Sequence, residues 1–179
     1  MIDVHIISNP ATPETWLRKA LYSIPDICTT HLIPMEDRGV AENRIIGFQK
    51  GSHPYVSYVD DDDYVLPGAF EACLEFLENN PDYAAVSTWE YALDGMDLRE
   101  IRVPVTANLN PWAAMHHLAV FRREAVLEHL ESLHTFVHPE RALVRAMDDA
   151  GLKAAKLDIL GYVWRQHNSQ HHRRVKNGT

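Results

Sequence analysis

Positive charge is in short supply in this chain. Its 179 residues carry 17 Lys and Arg against 25 Asp and Glu, a formal net charge of −8, which argues against a broad nucleic-acid footprint. Cysteine is scarcer still. Cys28 and Cys73 allow no disulfide framework and no metal-ligand spacing, and their apolar or β-branched neighbours mark both as small core residues. No apolar run approaches the roughly 18–20 residues that a bilayer-spanning helix needs. The first residues, Met1-Ile2-Asp3-Val4-His5, lack the basic start and long apolar stretch of a signal peptide, so a cytoplasmic protein is the default expectation. Internal repeats and low-complexity segments are also missing. An apolar content of 46% is that of a soluble globular chain, long enough for one domain with a real core.

The elements alternate. Val4-His5-Ile6-Ile7 reads as a first strand broken by Ser8-Asn9-Pro10, and Thr12-Pro13-Glu14 as a helix start with a capping hydroxyl and an early proline. A weak strand near Thr30-His31-Leu32-Ile33 and a helix over 40–50, stopped by Gly51, come next. The spacing then predicts a strand at Tyr55–Val59, a helix from Ala69 to Leu77, a strand from Tyr83 to Trp89 and a hairpin turn at Asp94-Gly95. Leu118–Phe121 reads as a strand, Glu124–Leu133 and Arg141–Ala150 as helices, and Lys153–Trp164 as extended chain. Strands alternating with helices up to Trp89 indicate a mostly parallel α/β sheet.

What stands out is Tyr55-Val56-Ser57-Tyr58-Val59 running straight into Asp60-Asp61-Asp62-Asp63. Carboxylates in a row repel one another, and nothing in a buried strand needs them. A hard divalent cation such as Mg²⁺ or Mn²⁺ offsets that repulsion, and the carboxyl ends of strands are where open α/β sheets bind ligands. A solvated acidic loop is the plain alternative, but the run is abrupt and caps a strand. An EF-hand is excluded, because Tyr64 and Val65 stand where that loop needs a ligand and its glycine.

Two segments together carry a family resemblance. Arg38-Gly39-Val40-Ala41-Glu42-Asn43-Arg44-Ile45-Ile46-Gly47 is similar to an "RGVAxARNxG" helix, and Tyr58-Val59-Asp60-Asp61-Asp62-Asp63-Tyr64-Val65-Leu66-Pro67-Gly68-Ala69 to "FLDxDDxxxPGAL". Both belong to the nucleotide-sugar-dependent, inverting glycosyltransferases of family two. Phe121-Arg122-Arg123-Glu124-Ala125 resembles that family's "FRRxAL", and Tyr162-Val163-Trp164-Arg165-Gln166-His167-Asn168-Ser169 its "YRxRxHxxS" close. The chain departs from the family twice. The "VDDGS" loop is missing between Ile33 and Arg38, and Pro139-Glu140 stands where the family has its "ED" pair.

The resemblance implies a GT-A (Rossmann-like) fold, a minimal single domain with a mostly parallel central sheet flanked by helices. Residues 1–90 would form the nucleotide-sugar-binding half, 91–170 the acceptor-side half and 171–179 a flexible tail. It implies transfer from a nucleoside diphosphate sugar, UDP-linked by preference, to a saccharide or other acceptor hydroxyl with Mn²⁺ or Mg²⁺ as cofactor. Asp62 and His167 would hold the metal, and Ser8, Asn9, Arg44, Asp60, Asp61 and Arg165 the nucleotide. Asp61 and Asp63 rank lower, as supporting or solvent-facing groups. Glu140, at a helix start, would be the catalytic base. Trp112, His116 and His117 fall where the family binds acceptors. Two other readings compete: a catalytically inactive domain of the same fold that binds a nucleotide-sugar or a partner, and a nucleotidyltransferase. The second lacks its Gly-rich basic loop, since Ser8-Asn9-Pro10-Ala11 stands there. The basic run His171-His172-Arg173-Arg174-Val175-Lys176 is the one argument for DNA, and duplex binding at physiological salt is not expected.

Overall fold

The computed structural model describes residues 1–37, 39–101, 110–135 and 139–167. Arg38, His138 and the basic run after Ser169 lie outside the described residues. In chain order the elements are β1 (Ile2–Ser8), α1 (Glu14–Ser23), β2 (Cys28–Pro34), α2 (Gly39–Gln49), β3 (Tyr55–Asp60), β4 (Tyr64–Val65), α3 (Ala69–Asn79), β5 (Tyr83–Asp94), β6 (Asp97–Ile101), β7 (Ala119–Arg122), α4 (Arg123–Glu128), a 3₁₀ turn (Leu130–Thr135), α5 (Pro139–Asp149) and β8 (Lys153–Gln166).

The described strands form one sheet in the order β2-β1-β3-β7-β5-β8-β4, with β6 beside the far end of β5. β1 pairs in parallel with β2 and β3, and β5 with β8. β7 enters antiparallel between β3 and β5. The long strands β1, β2, β3, β5 and β8 thus share one direction, and the carboxyl ends of β1 and β3 lie side by side, Ile7 opposite Asp60. The hairpin expected at Asp94-Gly95 joins β5 to β6, with Gly95 at φ +61°.

Alternation along the strands sends side chains to two separate cores. Ile2, Val4 and Ile6 of β1 join Phe70, Leu77, Val120 and Tyr162 on the face covered by α1 and α3. Phe48, Val56, Tyr58, Phe121, Leu143 and Met147 fill the other face, under α2 and α5. The odd residues of β1 face α2. His5 is buried and meets the Phe48 ring edge-on at 4.6 Å. Burial holds its imidazole well below the ordinary value, so it is neutral. Asp3, also buried, accepts hydrogen bonds from His31 Nε2 (2.7 Å), the His53 N–H (2.7 Å) and Arg123 Nη2 (2.6 Å). Arg123 spends its other donors on the Phe48, Lys50 and His53 carbonyls. One buried ion pair thereby ties the end of α2 and the start of β3 to β1.

Two local expectations are corrected. Thr12 does not cap α1: the cap position is Pro13, without a side-chain hydrogen bond, and the Thr12 hydroxyl serves Asp61 instead. The single helix expected over Glu124–Leu133 is an α-helix to Glu128 and then a 3₁₀ turn. The cause is local competition for the backbone: His129 Nδ1 bonds the Ala125 carbonyl at 2.9 Å and Ser132 Oγ the His129 carbonyl at 2.6 Å. The cysteine expectation holds for Cys73, which is fully buried, while Cys28 is half-buried; burial pushes both thiols up to about 12.

Gly47 sets how closely α2 approaches β1. A Cβ there would sit 2.3 Å from the His5 ring, and His5 is walled in by Phe48 and Tyr58. Gly47→Ala is therefore expected to lower stability by roughly 1–3 kcal/mol through overpacking, read as the urea midpoint. An unchanged midpoint would show that α2 is free to back away.

Candidate functional site

β3 delivers four carboxylates to one turn, and each finds a different fate. The turn closes when the Asp63 N–H donates to the Asp60 carbonyl at 3.2 Å, after which β4 leaves to pair with β8. Asp60 Oδ1 accepts from Arg44 Nη2 at 2.8 Å. Asp61 Oδ2 accepts from the Asn9 N–H at 2.6 Å, which places the loop after β1 against the turn. Asp62 Oδ2 lies 2.7 Å from His167 Nε2. Asp63 accepts from the Tyr162 hydroxyl at 3.0 Å and from the Arg165 N–H at 2.7 Å.

Of the two alternatives for Asp61 and Asp63, supporting or solvent-facing groups, the second is corrected: they are the buried members of the run, at 8% and 1% exposure. The strand geometry explains this: after Asp60 the chain turns inward beneath β8, and Tyr162 and Arg165 wait there. Burial pushes the Asp61 carboxyl up to about 6 against the help of Asn9 and Thr12. Burial, reinforced by the neighbouring carboxylates, also raises Asp62, and raises Asp63 strongly. Asp60 goes the other way. Burial disfavours its charge, but the Arg44 guanidinium overrides that and holds it below the usual carboxylate range.

Arg44 is itself buried at 3% exposure. It reaches from α2 to two carboxylates, Asp60 and, through Nε at 2.6 Å, Glu140 Oε1 in the first turn of α5. Its guanidinium rests on the Tyr58 ring at 4.3 Å, and its Nη1 has no partner among the described residues. That unsatisfied donor is shut off from solvent, so Arg44 acts here through the two carboxylates it holds. Arg165 donates Nε to the Asp62 carbonyl at 2.9 Å and lies over the Trp16 indole at 4.5 Å; His167 meets the same indole at 5.0 Å. Ser8 ends β1 opposite Pro34, one residue before Asn9. The structure thus brings Asn9, Arg44, Asp60, Asp61, Asp62, Glu140, Arg165 and His167 to one end of the sheet.

This donor set suits a hard or borderline divalent cation. Asp62 and His167 offer an oxygen and a nitrogen side by side. The carboxyls of Asp61, Asp62 and Asp63 are raised, first by burial and then by neighbouring carboxylates, so a cation placed among them would favour their ionised forms. Ligand atoms of Asp60, Asp63 and His117 also fall within 4.8 Å of one another.

Beyond this turn lies a cavity of about 510 Å³ lined by Trp89, Glu90, Trp112, His116, Arg141 and Trp164, among others. Trp112 is a wall rather than a free platform, since it is 3% exposed and its indole N–H bonds the Leu152 carbonyl at 2.9 Å. The sequence reading missed Glu90 and Tyr162. The available signal was a charged residue, Glu90, inside the otherwise uncharged strand Ser87-Thr88-Trp89-Glu90-Tyr91; a carboxylate in such a strand has to be answered by something.

Among proteins of known sequence, an uncharacterised glycosyltransferase of Methanocaldococcus jannaschii, MJ1057, is 31% identical over 67 residues, which are 36% of this chain and 22% of that protein. Among solved structures, S. aureus TarS 1-349 in complex with UDP-GlcNAc superimposes with a TM-score of 0.71 at 13% identity, over 95% of this chain and 60% of that one. The same TarS fragment in complex with UDP gives 0.68 at 11% identity, over 93% and 61%. The chain therefore spans less than two thirds of the length of each relative. The likeness to TarS is one of fold, and that fold is the GT-A-like α/β architecture expected from the sequence. A model of glycosyl transferase family 2 matches residues 24–150, and the chain belongs to that family.

Proposed function

We propose that this domain is a metal-dependent glycosyltransferase that moves a sugar from a UDP-linked donor to an acceptor hydroxyl with inversion. The observation that carries this reading is the convergence of Arg44, Arg165 and His167 on the Asp60–Asp63 turn. Family membership supports sugar transfer, and the UDP and UDP-GlcNAc complexes of the TarS fragment support a uridine donor.

Each residue then has a task. Asp62 and His167 would hold Mn²⁺ or Mg²⁺, which supplies Lewis-acid stabilisation of the leaving diphosphate. Asp60, Asp61, Asn9 and Ser8 border the nucleotide, with Asp60 aimed by Arg44. Arg165 is a cation suited to diphosphate oxygens, and the buried Arg44 acts on the nucleotide through Asp60. Glu140 takes the proton of the acceptor hydroxyl as its oxygen bonds to the anomeric carbon, and the diphosphate departs with the electron pair of the broken bond. Attack opposite the leaving group inverts the configuration. The acceptor is a saccharide in the tryptophan-walled cavity, rather than DNA. A second reading, an inactive domain that only binds, draws on one contact: Arg44 already occupies Glu140 Oε1.

Calorimetry with UDP should show tighter binding when Mn²⁺ or Mg²⁺ is added, and Asp62→Ala should abolish the gain. The gain should also fade below about pH 6, where Asp61 becomes protonated; the raised carboxyls of Asp62 and Asp63 act in the same direction. Identical UDP binding with and without metal would overturn the metal assignment.

Glu140→Gln should leave donor affinity nearly intact while lowering turnover by ~10²-fold or more. A change in donor affinity with unchanged turnover of bound donor would make Glu140 a structural anchor for Arg44.

A further inference from the structure

Trp16 stands in the first turn of α1, which follows the loop at the carboxyl end of β1 and so borders the acidic turn. That loop is latched to the turn by the Asn9 N–H, 2.6 Å from Asp61 Oδ2, and by the Thr12 hydroxyl. The helix itself is anchored on the sheet by the buried Ala20 and by Leu17 and Leu21 packed against the core. Residues four apart share a helix face, so Trp16 lies on the side of Ala20. Its place is thus set by the core beneath it.

The indole meets two side chains from the other end of the chain. The Arg165 guanidinium lies over it at 4.5 Å, and the His167 ring is 5.0 Å away with the planes at 57°. Side chains two apart along extended chain share a face, which brings both groups to one ring. Both are also tied to Asp62. Arg165 Nε donates to its carbonyl at 2.9 Å, and His167 Nε2 lies 2.7 Å from its Oδ2. An arginine has much rotamer freedom to lose on binding a ligand, and stacking on an indole removes part of it in advance. An indole N–H only donates, so Trp16 cannot itself ligate a cation. It can hold the groups that do.

We propose that Trp16 is a positioning residue for the acidic turn, whose ring holds Arg165 and His167 beside Asp62 and thereby raises the affinity for the divalent cation and the diphosphate. This rests on the reading of Asp62 and His167 as cation ligands. Ordering the ligands beforehand lowers what binding itself must spend on ordering them. The ring contacts also decide which replacement is tolerated. Phenylalanine keeps a π face for both side chains, whereas leucine keeps only apolar bulk.

Calorimetry on the whole chain, with Mn²⁺ alone and with UDP in the presence and absence of Mn²⁺, tests the binding. Trp16→Leu should weaken Mn²⁺ by roughly five- to tenfold, the worth of such a ring contact, and shrink the Mn²⁺-dependent gain in UDP affinity. Trp16→Phe should stay within about twofold of the unaltered protein. A double-mutant cycle with His167→Ala separates positioning from general loosening. With His167 gone, Trp16→Leu should cost less than about twofold in Mn²⁺ affinity. Equal losses in both backgrounds, a Trp16→Phe as weak as Trp16→Leu, or unchanged Mn²⁺ affinity in Trp16→Leu would each overturn the proposal. If the unaltered protein binds no Mn²⁺ with or without UDP, the metal reading falls and takes the proposal with it. If it binds Mn²⁺ and only the Trp16 results fail, the metal reading stands. Nuclear Overhauser contacts between the Trp16 indole and the His167 ring, in the metal-free unaltered protein, test the geometry without any variant. Their presence is the expected result, and their absence contradicts the proposal.

Discussion

Four carboxylates packed into one turn at the end of a buried strand form the constraint on which the rest of this molecule is arranged. Their mutual repulsion has to be answered locally, and every answer comes from a different part of the chain. The loop after β1 offers a backbone N–H to Asp61, α2 offers Arg44 to Asp60, and the end of β8 offers Tyr162, Arg165 and His167 to Asp62 and Asp63. Segments more than a hundred residues apart in sequence are thereby drawn to one spot. The compensation is incomplete. Three of the carboxyls remain raised, chiefly by burial and also by their acidic neighbours, so the turn favours their protonated forms unless a cation joins it. Perturbed carboxyls clustered at the end of a strand mark a candidate binding site.

The sheet makes this arrangement possible. β1 and β3 run in parallel and end together, so the loops that follow them border the same cleft. The antiparallel strand β7 separates them from β5 and β8. β8 runs alongside β5 and brings its last residues back over the turn. Arg44 links the two sides, because it holds Asp60 at the end of β3 and Glu140 at the start of α5. At the opposite end of β1, the buried Asp3–Arg123 pair fixes the same strand from below. The site is thus rigidly placed by its own counter-charges.

Much of this was legible in the sequence because the informative signals were local. A β-branched run with an acidic end, a proline-glycine step and a helix after it specify strand, turn and helix within a dozen residues, and β3 and α3 form there, while the short strand β4 at Tyr64–Val65 was not expected because its partner β8 lies about a hundred residues later. The parts that were not legible depend on distant partners. Nothing near Asp63 shows that Tyr162 will cover it, so the run alone leaves a supporting and a solvent-facing role equally open. Nothing near Thr12 shows that Asp61 will compete for its hydroxyl. Glu90 was overlooked because the two histidines that bond it, His116 and His117, lie 26 and 27 residues later in the chain. The 3₁₀ turn after α4 shows a subtler limit: His129 and Ser132 keep the apolar period of a helix while their side chains take over its backbone carbonyls.

The sign of the pH dependence follows from the raised carboxyls. A carboxyl raised in the folded state binds protons more readily there than in the unfolded chain, so stability falls as pH rises from about 4, the unfolded value, through the folded value, about 6 for Asp61. A cation on the turn would remove that loss, and only where the carboxyls are ionised. The direct measurement is the thermal midpoint with and without Mn²⁺ at pH 5 and pH 7.5. A Mn²⁺-induced rise that is larger at pH 7.5, and that disappears in Asp62→Asn, is the predicted result. A rise of equal size at both pH values, or none at either, would contradict the claim that the acidic turn is built to receive a cation.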